Sequence, residues 1–398
     1  MKTPALSKTP ALSLLLGLAF LSGLSPAQAQ DDPLKSYLET IRAANDLPAL
    51  AAAVVLNGKV VAAAATGTRV AGQDIPVQLT DRFHIGSDTK AMTATLAGML
   101  VDEGQLSWSS TVGEVLSDAV PDMSPELAAV TLEQLLSHSS GIPSDTDDLV
   151  DLYFSDATFD YNITDQRRRV LEAWKQNVPV LPEGSPFQYS NLGYLIAGMM
   201  IETAAETPWE VLIHERLFTP LGLESAGLGP QTTLGVMDAP ASHRLQEDGT
   251  LLPMLWGPAS DVPPVIGPAG NAHMSITDFA IWAGWNAGEG TRGPDLVTPA
   301  TLEYIHAAHV QTPHRENPPP GTPGDGGYGL GWGLVQFDWA DRELLTHNGS
   351  NSMNLAKILV DPQADLGVVV TTNMPGRTAD AAAGQVMAEL YQQYLPAE

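Results

Sequence analysis

The chain has 398 residues, 44% of them hydrophobic and only 16% charged, so it is long and apolar enough to bury a large core. Its 46 acidic and 19 basic residues give a formal net charge of −27, which excludes the basic footprint on which nucleic-acid and anionic-membrane binding depend. With no cysteine in the chain, a disulfide framework and a lipid-modified cysteine anchor are both excluded.

The first residues read as an export signal. Lys2 and Lys8 form a positive n-region, Ala11 to Leu18 an apolar stretch, and Ala27-Gln28-Ala29 a small-x-small cleavage site. The reading is a signal peptide over 1–29 and a mature domain over 30–398, exported to the periplasm or secreted, with no membrane insertion once the signal is removed.

Leu50 to Leu56 and Lys59 to Thr66 are Ala/Val-rich runs joined by Asn57-Gly58, a strong short hairpin signal. A helix is predicted from Ser87 to Glu103, closed by Gly104, with Thr95, Leu96, Met99 and Leu100 at core spacing. Thr131 to Gln134 forms a capping box that opens a short helix reaching His138, and Ser139 to Pro143 stops it. Ser144 to Asp165 reads as irregular, Arg167 to Gln176 as a surface helix, and Asn191 to Glu206 as a long buried helix. Thr207-Pro208 opens a further helix with proline first, and Ser275 to Asp278 resembles another cap. Gln311 to Gly327, rich in proline and glycine, reads as loop. Strands follow at Tyr328 to Val335, Leu344 to His347, Leu355 to Val360 and Leu366 to Thr372, then a helix from Thr378 to Tyr394.

Strands at both ends thus flank a helical middle. The economical fold is α/β (α+β): one antiparallel sheet built from 30–87 and 320–398, flanked by helices, with a mainly helical part inserted at 88–319. A ligand cleft belongs at the seam.

Three stretches carry chemistry. Ser87 and Lys90 stand three apart at a helix start, on one face, where a lysine of lowered pKa can activate the hydroxyl. Tyr189 and Asn191 precede the apolar helix; a tyrosine near a lysine has its pKa lowered and can act as a base, and the asparagine can hold a substrate carbonyl. Thr346 to Ser350 carries His347 and a glycine, Gly349, that lets backbone approach a ligand, followed by the N–H of Ser350.

Together these resemble the serine β-lactamase/penicillin-binding-protein superfamily, in its class C-like branch of esterases, D-aminopeptidases and D-alanyl carboxypeptidases. The ordered motifs are G-S-D-T-K at 86–90, L-L-S-H-S-S-G-I-P at 135–143, Y-S-N at 189–191, P-A-G-N at 268–271, Y-G-L-G-W-G at 328–333 and H-N-G at 347–349. The resemblance implies Ser87 as acylated nucleophile, Lys90 and Tyr189 as base and proton shuttle, and Asn191 as orienting group. It also implies an oxyanion hole from the N–H groups of Ser87 and Ser350, with His347 and Gly349 lining the substrate site. The third motif departs from the K-T-G of β-lactamases: His347 stands where a lysine meets the drug carboxylate, which weakens a β-lactamase reading.

The expected substrate is a small ester, amide or peptide, with no cofactor and no metal. His306, His309 and His314 lack a matching ligand set, while His138 and His273 read as structural and Asp145 to Asp148 as solvated loop. Esterase or amidase activity ranks first, then D-alanyl carboxypeptidase, then β-lactamase. A catalytically idle relative that binds cell-wall peptide or a protein partner is the alternative from another class.

Overall fold

Asn57 and Gly58 both take positive φ, 50° and 69°, the backbone that a tight hairpin turn requires. They join β1 (Ala49–Leu56) to β2 (Lys59–Gly67), as the sequence predicts. In chain order the remaining strands are β3 (Arg82–His84), β4 (Gly227–Leu228), β5 (Ser242–Leu245), β6 (Leu251–Met254), β7 (Ala272–Ser275) and β8 (Val310–Thr312). Then come β9 (Gly326–Tyr328), β10 (Gly333–Val335), β11 (Leu344–Gly349), β12 (Leu355–Asp361) and β13 (Leu366–Thr372). These come from a computed structural model that describes residues 32–155, 162–257, 260–318 and 322–396. The signal peptide read at 1–29 lies outside the described residues.

The main sheet has eight strands in the order β2-β1-β13-β12-β11-β10-β9-β8 and is antiparallel. Strands from both ends of the chain meet at β1 and β13, in the register Ala52↔Val370. The expected antiparallel sheet flanked by helices is therefore present. Side chains on β1 alternate between two cores: Ala49, Ala51, Ala53 and Val55 face one, Leu50, Ala52 and Val54 the other. The helices Pro33–Ala44 and Arg377–Tyr394 cover the second face, and the helix Ile276–Ala287 packs on the first. Both faces of the central strands are dry, which explains the continuous Ala/Val runs. Pro33–Glu398 forms one compact unit.

The middle of the chain holds helices and two small sheets, β3-β7-β4 and β5-β6. The helix Asn191–Ala205 is buried from Leu192 to Glu202. Its Gly198 lies so close to Pro268 that a Cβ would sit 2.4 Å from the ring, bringing P-A-G-N against this helix.

Several expectations change. The segment read as irregular holds the helix Asp147–Tyr153, capped by Thr146, and the start of the helix Ile163–Trp174; residues 156–161 of it lie outside the described residues. Arg167, expected on a surface helix, is fully buried; it pairs with Glu202 and Glu210 and donates to the Val265 carbonyl at 3.1 Å. Its partners are distant in sequence, so periodicity could not reveal them. Pro208 is the N-cap residue of the helix Trp209–Ile213 rather than its first residue. The loop read at 311–327 lends its ends to the edge strand β8 and its neighbour β9, and the strand read at 328–335 breaks at Gly331. Gly331 has φ 80°, and a Cβ there would meet the Ala91 backbone N at 2.6 Å, so the glycine-rich edge folds tightly over the start of the helix Thr89–Asp102.

Candidate active site

β3 delivers the chain to Gly86, whose φ is 51° and whose absent Cβ would lie 2.3 Å from the Ser350 backbone N. Opposite it, a Cβ on Gly349 would fall 1.7 Å from the Ile85 carbonyl oxygen. Glycine on both sides thus lets two backbones abut, with the N–H groups of Ser87 and Ser350 at the seam. Ser87 lies in a 3₁₀ turn, Gly86–Asp88, and the α-helix begins at Thr89, two residues later than the sequence predicts. The Ser350 hydroxyl donates to the Asn354 carbonyl at 2.7 Å, leaving its backbone to serve the seam.

Lys90 is fully buried. Its Nζ lies 3.1 Å from Ser87 Oγ, 2.8 Å from Asn191 Oδ1 and 2.6 Å from the Ala269 carbonyl oxygen. Burial pushes its pKa down to about 7, against the pull of Asp145 and Asp88 in the other direction. The geometry then has a chemical meaning. The amide and carbonyl oxygens only accept, so they occupy two N–H groups of a neutral amine and leave its lone pair for the Ser87 hydroxyl. The Asn191 amide is oriented by its own donor, which reaches Asp145 Oδ2 at 2.6 Å. Asp145, read from sequence as solvated loop, is exposed but sits at the site.

The Tyr189 ring lies with its centroid 4.6 Å from Lys90 Nζ, and its hydroxyl shares a hydrogen bond with Ser87. Its pKa is not lowered, as the lysine suggested, but raised. Burial is the largest cause, the Ser87 hydrogen bond works against it, and Asp88 and Asp145 add to the rise. Tyr189 is therefore a phenol at neutral pH. His138 supports this stretch: fully buried at φ 61°, it accepts from the Ser190 N–H at 3.1 Å on Nδ1 and from the Gln188 N–H at 2.7 Å on its carbonyl. Its ring centroid is 4.2 Å from that of Tyr189.

His347 is buried, with Nε2 at 3.0 Å from the Tyr328 hydroxyl and Nδ1 at 3.3 Å from Asp88 Oδ1. Burial, with Lys90 adding, holds its pKa down to about 3, while burial raises the Asp88 carboxyl well above its usual range. The pair is thus driven toward two neutral groups, and this corner presents no fixed positive charge.

A buried polar chain that sequence reading missed ties the two abutting backbones together. His84 Nδ1 accepts from the Gly86 N–H at 3.0 Å, and His84 Nε2 lies 2.9 Å from Asp261 Oδ1. The same carboxylate oxygen accepts from Asn351 Nδ2 at 3.0 Å; Asn351 Oδ1 accepts from the N–H groups of Met353 and Asn354. No motif flags these residues, because they come from three separate stretches. His306, His309 and His314 each have a separate partner: Asn286, the Tyr304 carbonyl and Asp325. His273, also read as structural, contacts the Gly229 carbonyl. Among the described residues no group of three or more acidic or histidine side chains is arranged to hold a metal ion, and no helix is long and apolar enough to cross a membrane.

A family model, Beta-lactamase, matches residues 34–392. The chain is 28% identical over 343 residues to penicillin-binding protein 4 of Amycolatopsis lactamdurans, covering 84% of this chain and 83% of the relative. It is 28% identical over 300 residues to the unguisins hydrolase ungD' of Aspergillus campestris, covering 73% of this chain; it spans only 52% of that relative's length. Among solved structures it resembles the octameric penicillin-binding protein homologue of Pyrococcus abyssi, with a TM-score of 0.72 at 24% identity over 90% of this chain and 76% of the other. It also resembles a D-stereospecific amidohydrolase of Streptomyces sp., with a TM-score of 0.69 at 20% identity over 92% of this chain and 100% of the other. At those identities the structural likeness is one of fold. The family match spans nearly the whole compact unit and includes every motif described above, and on that ground the chain belongs to the Beta-lactamase family, within the serine β-lactamase/penicillin-binding-protein superfamily.

Proposed function

We propose that the protein is an exported serine hydrolase that cleaves a small ester, amide or peptide through an acyl-enzyme on Ser87. The observation that carries the reading is the buried Lys90 amine, poised near pKa 7 and 3.1 Å from Ser87 Oγ, with its other contacts all to neutral oxygens. Lys90 takes the hydroxyl proton as Ser87 Oγ bonds to the carbonyl carbon. The oxyanion forms between the N–H groups of Ser87 and Ser350; one such donor is typically worth about 10²–10³ in rate. The Tyr189 phenol then gives its proton to the departing oxygen or nitrogen and recovers one from Lys90. The carbonyl reforms, and the bond to the leaving group breaks. Water, deprotonated by the same pair, releases the acyl group. Asn191 orients both Lys90 and the substrate carbonyl.

Hydrolysis is supported by the name of one relative, an unguisins hydrolase. A substrate carboxylate held at His347, as a β-lactam would present, is disfavoured because the imidazole stays neutral. The test is mass spectrometry after treatment with a fluorophosphonate, beside hydrolysis of phenyl acetate. A single adduct and turnover, both abolished in Ser87→Ala, support the reading. No adduct, or undiminished turnover in the variant, overturns it; the first outcome favours a binding protein.

A further inference from the structure

A cavity of about 340 Å³ opens beside the site and runs past His347 and Asn348, the end of β11 that β10 leaves unpaired, to the residues of the helix Arg377–Tyr394 on the other face of the sheet. On the side of the site it is lined by Phe187, Tyr189 and His347. Neither Ser87, Lys90, Asn191 nor Asp145 lines it. In the proposed acyl transfer, on which this inference rests, Tyr189 hands its proton to the leaving group, so the side of the carbonyl that meets the cavity is the leaving-group side.

Beneath the helix one wall is apolar and aromatic, while Thr312, Arg315, Thr322 and Asp325 line the loop side with polar groups. Phe337 and Trp339 stack with centroids 4.5 Å apart, and Met387 faces them from the helix. The space exists because the helix is small there. Ala381 and Gly384 lie one turn apart, and a Cβ on Gly384 would meet only Lys357 Cε, at 4.0 Å. Glycine disfavours a helix interior, and here nothing fills the room it leaves. Lys357, which also lines the cavity, is buried, with Nζ at 2.6 Å from Asp380 Oδ1 and 3.1 Å from Asn348 Oδ1. Those two acceptors account for two of its three N–H donors. A cavity that joins an apolar, aromatic wall to a few placed polar groups is the usual form of a small-molecule subsite.

We infer that this cavity is the leaving-group subsite, and that it takes an elongated aryl or alkyl leaving group carrying an oxygen acceptor at its far end, for the remaining donor of Lys357. The acyl group stays on the Asn191 side.

The test keeps the acyl group constant and extends the leaving group at nearly constant basicity: phenyl acetate, 4-butylphenyl acetate and 4-(3-carboxypropyl)phenyl acetate. In the wild type kcat/KM rises about tenfold or more from phenyl to 4-butylphenyl, because each buried methylene contributes binding energy, and rises further with the terminal carboxylate. Gly384→Leu fills the cavity and flattens the series, while phenyl acetate is still hydrolysed within about twofold of wild type. Gly384→Ala, which adds one methyl group, keeps most of the rise and controls for helix stability. A series equally steep in Gly384→Leu overturns the assignment. Calorimetric binding of the product 4-butylphenol reads the cavity without catalysis: binding lost in Gly384→Leu supports it, and equal binding refutes it. If no ester is hydrolysed through Ser87, the acyl-enzyme reading falls, and the calorimetric arm still decides the cavity.

Discussion

Among the described residues two lysines are buried, Lys90 and Lys357, and they differ in what surrounds them. Lys357 has a carboxylate, Asp380, at 2.6 Å. Lys90 has only a hydroxyl, a side-chain amide oxygen and a backbone carbonyl within hydrogen-bond reach, and its pKa falls to about 7. The acids that influence Lys90, Asp145 and Asp88, act without a direct hydrogen bond to it. A buried lysine with an anionic partner is anchored in an ion pair; one with neutral acceptors is suited to the base role proposed for Lys90. The difference locates the chemistry more sharply than the Ser-x-x-Lys spacing does.

Exchanging the two roles should break the comparison. Lys90→Met should lower kcat/KM for phenyl acetate by at least about 10³, since both proton transfers lose their relay. The same variant should be more heat-stable than wild type below pH 7. The folded-state pKa of Lys90 lies near 7 and its ordinary value is 10.5, so the unfolded chain binds the extra proton between those values. Wild-type stability from this group therefore rises with pH from about 7 to 10.5, with the full penalty below 7. Scanning calorimetry at pH 6 and 9 reads the stability prediction; a lower melting temperature for Lys90→Met at pH 6 would count against a lysine whose charged form is penalised by burial.

The next effect tests the polar chain behind the oxyanion seam. Asn351→Ala removes the link from Asp261 to the loop that carries Ser350, and kcat should fall about 10- to 100-fold with KM nearly unchanged, as for a weakened oxyanion donor. Asn351→Asp, which keeps the acceptor for the Met353 and Asn354 N–H groups but faces Asp261 with a like charge, should not restore it. An equal rise in KM would indicate general loosening instead. Lys357→Met leaves Asp380 unpartnered but partly exposed, so a destabilisation of about 1–2 kcal/mol in urea unfolding is expected. The smallest effect is on pH dependence: Asp145 raises the Lys90 pKa, so Asp145→Asn should move the rising limb of the kcat/KM profile to lower pH.

The layered fold was legible because its strands are Ala/Val runs with an Asn-Gly turn and because the strand-rich ends enclose a helical middle. The residues brought together at Ser87, Lys90, Tyr189 and Asn191 were legible as an ordered motif set. What was not legible lies in contacts between distant stretches. Arg167 reads as a surface residue until Glu202 and Glu210 close on it. Asp145 reads as solvated loop until the Asn191 amide reaches it. The direction of the Tyr189 shift was misread because proximity to a lysine says nothing of how deeply the phenol is buried. His84, Asp261 and Asn351 form one chain in space and none in sequence.

The central claim, a neutral buried lysine as the first base, is tested most directly by the pH dependence of the second-order rate at which a fluorophosphonate phosphonylates Ser87, with loss of fluoride. The rate should rise with a single midpoint near pH 7, the value to which burial lowers Lys90. A rate still climbing through pH 9 to 10, as an unshifted lysine or the tyrosine would produce, contradicts it.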